Sequence, residues 1–301
     1  MIFGSKLLQA GIRAEYDKAY RDISNVALDY YSTLRTYIAS TRNQETYAWL
    51  GDLPAFREWV GERHIPTPKD WGYTLINKDY ESTFSVDRNE VEDDQIESIM
   101  VRARDLAIKA RNVPSKLISS LVQNGTTNLA YDGVAFFSDA TGVRKIDNLL
   151  AGTGVTLAQV ESDLANARQS MLTYLDDNGE PLGVIGDTVI CPPAMEMTFR
   201  KLIQSTTAAG QANANVINPF SAMVKGLVVD YRLTDSNDWY LVSSNGALKP
   251  FIYQGRKDPQ FVALDKPDDD NVFMKKKIFY GVDLRGAAGY TFPQLACKVV
   301  N

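Results

Sequence analysis

The chain has 301 residues, 45% of them hydrophobic and 23% charged, enough apolar material for one large or two modest folded units. Its formal charge of −5 argues against a surface built mainly to wrap nucleic acid, which needs a clustered excess of Lys and Arg. No apolar run approaches the ~20 residues of a membrane-spanning helix, and the opening turns charged too soon for a secretory leader, so a cytoplasmic protein is expected.

In chain order, the first periodic stretch is 12–39. Ile12, Tyr16, Tyr20, Ile23, Ala27, Tyr30, Leu34 and Ile38 recur at helical spacing with no Pro or Gly between them, which predicts one long amphipathic helix. Two placements stay open for its tyrosine-rich stripe: on the chain's own core, or against a neighbouring subunit.

Residues 46–88 are the most distinctive. They hold three of the four tryptophans (Trp49, Trp59, Trp71) and the single histidine, His64. Two arms rich in aromatic and β-branched residues flank a breaker-rich centre at 64–70, which predicts a long hairpin. Such a hairpin is too polar at its tip for a core and too aromatic for a free loop, so it points to a contact surface for another subunit.

Asp87, three residues before Glu90, is a candidate helix cap. The helix it opens keeps Ile96, Ile99, Ala103, Leu106 and Ala110 on one face, and Pro114 is expected to kink or end it. A second short helix should then finish at Asn124-Gly125. Residues 126–155 read as loop-rich, and 156–175 as a helix capped by Thr156. After the turn Asp177-Asn178-Gly179 come a buried strand at 184–191, a helix at about 194–203 and a small, polar loop at 205–218. Strands are predicted at 227–231, 239–242, 251–253, 261–264, 272–273 and 278–284, with a last apolar segment at 290–300. The fold class so read is α+β.

Catalytic signals are missing. One histidine is too few for the usual zinc site of His and Cys. His64 has no nucleophile context and the chain has no G-x-S-x-G. Neither a phosphate loop nor a G-x-G-x-x-G occurs. Asp268-Asp269-Asp270-Asn271 lacks the spacing of a calcium loop and reads as an acidic turn, and Glu92-Asp93-Asp94 sits where a helix start favours negative charge. Cys191 and Cys297 read as reduced, buried thiols. Lys275-Lys276-Lys277 reads as a solvated edge, with a polyanion-facing role left open. The expectation is a protein with no enzyme activity, metal or cofactor.

Several blocks, taken together, resemble the Mu-like major head subunit family, the major capsid proteins of Mu-type tailed phages and prophages. They are Tyr47-Ala48-Trp49-Leu50-Gly51, Arg57-Glu58-Trp59-Val60-Gly61-Glu62-Arg63, Gly72-Tyr73, Asn77-Lys78, Tyr80-Glu81, Val86-Asp87-Arg88 and Tyr131-Asp132-Gly133 with Phe136-Phe137. The C-terminal blocks are more specific: Leu248-Lys249-Pro250-Phe251-Ile252, Asp269-Asp270-Asn271-Val272-Phe273, Phe279-Tyr280-Gly281-Val282 and Arg285-Gly286-Ala287-Ala288-Gly289-Tyr290. The family's usual His after the Phe-Phe step is replaced here by Ser138-Asp139-Ala140.

The resemblance implies the Hong Kong 97-like capsid fold, with an N-terminal arm at 1–45, an E-loop region at 46–90 and a P-domain with its spine helix at 91–155. It further implies an A-domain at 156–249 and a return to the P-domain sheet at 250–301. It makes Trp59, Arg63, His64, Trp71 and Tyr73 on the hairpin, and Tyr16 and Tyr20 on the arm, candidate contacts between subunits. The implied function is assembly into the icosahedral shell around the double-stranded DNA of a tailed phage. The implied partners are hexameric and pentameric capsomers of the same chain, scaffold and portal proteins, a decoration protein, and enclosed DNA in weak non-specific contact. An encapsulin-like nanocompartment shell, and less so a hydrolase, are the alternatives.

Overall fold

The computed structural model describes residues 6–22, 29–50, 70–93, 96–139, 144, 146–175, 179–205, 218–266 and 269–301. Its first third contains α1 (Lys6–Arg21), β1 (Arg35–Ala39), β2 (Gln44–Leu50), β3 (Asp70–Ile76), β4 (Lys78–Asp87), a short α2 (Arg88–Glu92) and the long α3 (Ile96–Gln123). The middle holds β5 (Leu149–Ala151), α4 (Leu157–Leu172), β6 (Thr188–Cys191), α5 (Glu196–Gln204), α6 (Phe220–Met223), β7 (Gly226–Val229) and β8 (Trp239–Val242). The chain closes with β9 (Phe251–Leu264), α7 (Asp270–Lys275), β10 (Lys277–Tyr290) and β11 (Ala296–Val300).

Two sheets and one separate hairpin organise these strands. A four-stranded sheet runs β1-β9-β10-β4, a five-stranded sheet runs β5-β11-β8-β6-β7, and β2 pairs only with β3. The long ribbon of β9 and β10 is the axis of the first sheet. Its helix-facing side chains (Phe261, Ala263, Ile278, Tyr280, Val282, Leu284) meet Ile12 and Tyr16 of α1 and Ile99, Ala103, Leu106 and Ala110 of α3. The second sheet is covered on both faces at its centre, so every position of β6 and β8 is buried. Period-two alternation divides them: Trp239 and Leu241 face α4 and α5, while Tyr240 and Val242 face the other way.

That other face is where the two halves join. Tyr240, Val242, Ile190 and Val228 of the five-stranded sheet share a core with Ile118 and Val122 of α3, Phe251 of β9 and Tyr290 of β10. Phe136 and Phe137 fill its centre, with Phe136 stacked on Tyr290 at 4.2 Å between centroids. Polar groups pin the turn that delivers them. The buried Arg144 pairs with Asp132 at 2.8 Å and also donates to the carbonyls of Ala135 and Phe136. Asn148 donates to the carbonyls of Phe136, Pro293 and Ala296.

Four expectations need correction. The helix predicted over 12–39 ends at Arg21, and 35–39 is instead strand β1, paired in parallel with β9. Tyr30 and Leu34 mimic a helical stripe, but Tyr30 and its neighbour Tyr31 both donate to Asp230 (2.9 and 2.8 Å), a tertiary tie that overrides local periodicity. Pro114 neither ends nor divides the helix: α3 is continuous to Gln123. Its buried stripe runs on through Ser115, Ile118, Ser119 and Val122, and packing on both sides of the proline outweighs a cost of ~3 kcal/mol. The separate strands at 251–253 and 261–264 are one strand, β9, interrupted only by two register shifts between Gly255 and Gln260, beyond the residues that pair with β1. Val272 and Phe273 belong to the helix α7.

Two caps follow the sequence. The Asp87 carboxylate accepts from the amide of Asn89, while Glu90 turns away to pair with Arg102 at 3.0 Å. Thr156 and Gln159 close a box at the start of α4.

Candidate subunit interface

The distinctive hairpin is present in its lower part, but its second arm is shorter than expected: 78–87 is β4, which leaves the hairpin at Asn77 and pairs with β10 in the four-stranded sheet. β2 and β3 pair antiparallel from Gln44↔Ile76 to Leu50↔Asp70, with Thr46 and Thr74 hydroxyls 2.9 Å apart across them. Trp59, Arg63 and His64 lie outside the described residues, and Trp71 is described only as a backbone position of β3, opposite Trp49.

A buried polar cluster anchors this hairpin to the four-stranded sheet. Gln254 of β9 is fully buried; its amide donates to Asn77 Oδ1 at 2.7 Å and its oxygen accepts from the Tyr47 hydroxyl at 2.8 Å. Asn77, the residue between β3 and β4, donates to Ser40 Oγ and the Arg42 carbonyl, each at 2.9 Å. The Ser40 hydroxyl in turn donates to Glu45 Oε1 at 2.9 Å, which also accepts the amides of Thr41 and Arg42. Those donors, Ser40 first, hold the Glu45 carboxyl below the usual carboxylate range. Arg285 of β10 closes the base, reaching Asn43 at 2.6 Å and Asp79 at 3.3 Å.

An apolar seam backs the cluster: Leu75 packs with Ile252 and Ala287, and Tyr47 and Tyr73 close over them. Tyr73 accepts a hydrogen bond from the Tyr290 amide, and burial pushes its phenol up, keeping it neutral. The seam needs Gly289, because a side-chain carbon there would fall 2.6 Å from Leu75. The hairpin is therefore held at a fixed angle to its sheet.

The arm candidates fare differently. Tyr16 is buried in the chain's own core, with its ring 5.1 Å from Phe261, so an interface role for it is corrected to a core role. Tyr20 stacks on Tyr16 at 6.0 Å and is half-buried beside α3.

Other singled-out groups are structural. Burial pushes the thiols of Cys191 and Cys297 up to about 12. They sit on β6 and β11, on either side of β8. Two strand spacings put them ~10 Å apart, beyond disulfide reach. Asp269 precedes α7 and its carboxylate accepts the Lys266 amide at 2.9 Å, so this part of the acidic run is a helix start. Asp268 lies outside the described residues. Among the described residues, no group of His, Cys, Asp or Glu side chains is placed to hold a metal ion, and no helix is long and apolar enough to cross a membrane. The polar loop after α5 lies outside the described residues at 206–217, but Asn218 joins its ends by donating to the carbonyls of Leu202 and Ser205.

Sequence reasoning missed Ser40, Glu45, Asn77 and Gln254. The one available signal was Gln254 itself, a polar residue inside the apolar run Phe251-Ile252-Tyr253.

The chain matches the family described as "Mu-like prophage major head subunit gpT" over residues 6–160, 154–232 and 224–301. It is 26% identical over 285 residues to the "Mu-like prophage FluMu major head subunit" of Haemophilus influenzae, covering 94% of this chain and 70% of that protein. It is 26% identical over 294 residues to the "Major capsid protein" of Escherichia phage Mu, covering 98% of this chain and 72% of that one. Among solved structures, a chain of the procapsid of bacteriophage JBD30 superposes with a TM-score of 0.57 at 26% identity, over 99% of this chain and 76% of that chain.

Proposed function

The chain belongs to the Mu-like prophage major head subunit family, and from that premise we propose how its parts are used in a shell. It is a major capsid protein of the tailed-phage kind with the Hong Kong 97-like fold, and many copies of the subunit assemble into the capsid. In our reading the four-stranded sheet with α1 and α3 is the P-domain. The five-stranded sheet with α4 and α5 is the A-domain. The hairpin of β2 and β3, continued by 51–69, is the E-loop, and it lies over a neighbouring subunit.

The observation that supports this reading is the anchored base of the hairpin. A polar cluster of Gln254, Asn77, Ser40 and Glu45 orients the strands. The stretch that follows β2 in the sequence carries Trp59, a residue type suited to contact with another copy. Capsomers of six and five copies, a scaffold, a portal and a decoration protein complete the proposed assembly, which takes place in the host cytoplasm. The role is mechanical, with no catalysis. The net charge of −5 suits a shell that encloses DNA without gripping it.

Negative-stain imaging of the protein, produced with the assembly proteins encoded beside it, tests the reading. Closed shells are expected; soluble monomers alone, with no capsomers, would overturn it.

A further inference from the structure

A cavity opens between α3 and the edge of the four-stranded sheet. Strand β4 is the last in that sheet and, among the described residues, pairs with β10 alone. Helix α3 runs in the direction of β10. Ile99 and Ala103 share a cluster with Ile278 and Tyr280, Leu106 and Ala110 share one with Val282 and Leu284, and the Leu121 carbonyl accepts from the Tyr290 hydroxyl at 2.7 Å. Beside Tyr80 and Ser82 of β4 the helix and the strand leave a space of about 460 Å³. Its floor is apolar: Leu106, Ala110, Val282 and Leu284 are buried beneath it, and Val113 and Leu117 are partly open.

The rim is cationic. Lys109, Lys116 and Arg232 border the cavity. Arg232 is held in place, with its guanidinium 4.5 Å over the Tyr231 ring and donating to the Tyr30 hydroxyl. Earlier in α3, Arg102 and Arg104 pair with Glu90 and Glu15. Lys109 and Lys116 are exposed, and among the described residues no carboxylate pairs with them. Glu81 also borders the cavity, but strand alternation turns its side chain to the opposite face, where it accepts from Thr83 at 3.0 Å.

These features select one kind of partner. An open strand edge offers main-chain donors and acceptors to an extended chain, and a pocket beside it takes one of that chain's alternate side chains. Two turns separate Lys109 from Lys116, ~10.5 Å along a helix that runs with the strands. In an added strand, side chains four positions apart stand ~13 Å apart on one face, a difference that flexible lysine stems span. Acidic, apolar and acidic side chains at alternate positions therefore meet one lysine, the cavity and the other lysine in turn. A nucleic acid backbone would satisfy the lysines but leave the strand edge unpaired.

We propose that the notch between α3 and β4 binds an extended acidic peptide segment of another protein. That segment adds a strand to β4, seats one apolar side chain in the cavity and sets its flanking carboxylates on Lys109 and Lys116. The site is complete within one subunit, so the proposal stands apart from the shell reading.

The test uses the isolated full chain and a fluorescein-labelled peptide, Thr-Glu-Thr-Phe-Thr-Glu-Thr, read by fluorescence anisotropy. Saturable binding is expected, and raising the salt should weaken it. Lys109→Glu/Lys116→Glu should leave the melting temperature unchanged and lower affinity about tenfold or more, while Lys109→Arg/Lys116→Arg should bind as the wild type does. Replacing the peptide's Glu by Gln, its Phe by Ser, or methylating its backbone nitrogens should each remove saturation. No saturable binding up to about 1 mM peptide would overturn the proposal. So would equal affinity for the Gln or methylated peptide, or an unchanged affinity in the Glu double variant. Loss of bound peptide as the subunit concentration alone rises would place a second copy of this chain in the notch, and would overturn it too.

Discussion

At the scale of single residues, the subunit depends on polar side chains in places an apolar core would leave to leucine. Gln254→Leu keeps the volume but strips partners from Asn77 and Tyr47. It should cost about 2–3 kcal/mol in a urea melt of the isolated subunit, and a loss below about 0.5 kcal/mol would show the cluster to be dispensable. Arg144→Ala leaves the largely buried Asp132 without its cation. A loss of about 3 kcal/mol is expected, read by the same melt. The buried thiols give a pH dependence of definite sign. With both pushed up to about 12, the native state holds protons that the unfolded chain releases from about pH 8.5. Their contribution is complete below that value and fades as pH rises toward 12. Thermal melts between pH 8 and 11 should show stability falling with pH, and Cys297→Ala should flatten the slope. An unchanged slope would remove this thiol from the account.

At the scale of elements, α3 shows how packing overrules a local breaker. Pro114 interrupts hydrogen bonding inside a helix whose buried stripe passes straight through it. Pro114→Ala should therefore stabilise the isolated subunit by about 1–3 kcal/mol in denaturant; a destabilised variant would mean that the proline shapes a bend the fold requires. The same contest between local and tertiary forces explains what was legible in the sequence. The caps at Asp87 and Thr156, the strand at 239–242 and the helical face from Ile96 to Ala110 could be read directly, because local chemistry and burial agree there. Strand β1 could not be read, because Tyr30, Leu34 and Ile38 keep helical spacing while the partners of Tyr30 and Ile38 lie two hundred or more positions away. The α7 helix was hidden for a related reason: Val272 and Phe273 favour a strand, and only Asn271 bridging two strand ends makes one turn of helix the better closure. Much of the candidate interface escaped too, since its anchoring residues are ordinary polar side chains until the fold gathers them.

At the scale of the whole molecule, the hairpin springs from a body whose two sheets share the core around Phe136 and Phe137. Trp59→Ala or Trp71→Ala should leave that body folded, with circular dichroism and melting temperature unchanged, while particle yield falls. Unfolding of the isolated variant would place those rings in a core and dismiss them as contacts. One more property belongs to the body as a whole. In the five-stranded sheet, residues 296–300 form β11, seated between β5 and β8, so a strand made well after both of them lies inside the sheet and pairs with each. During synthesis β5 has no strand to pair with, and β8 lacks one of its two, until the ribosome has passed this point. A chain released early, by a premature stop or a nick, has a gap between β5 and β8 and cannot close its sheet. The order of the strands thus acts as a check on length: only chains translated through β11 can close the five-stranded sheet, and truncated copies are expected to be less stable and more readily cut by a protease.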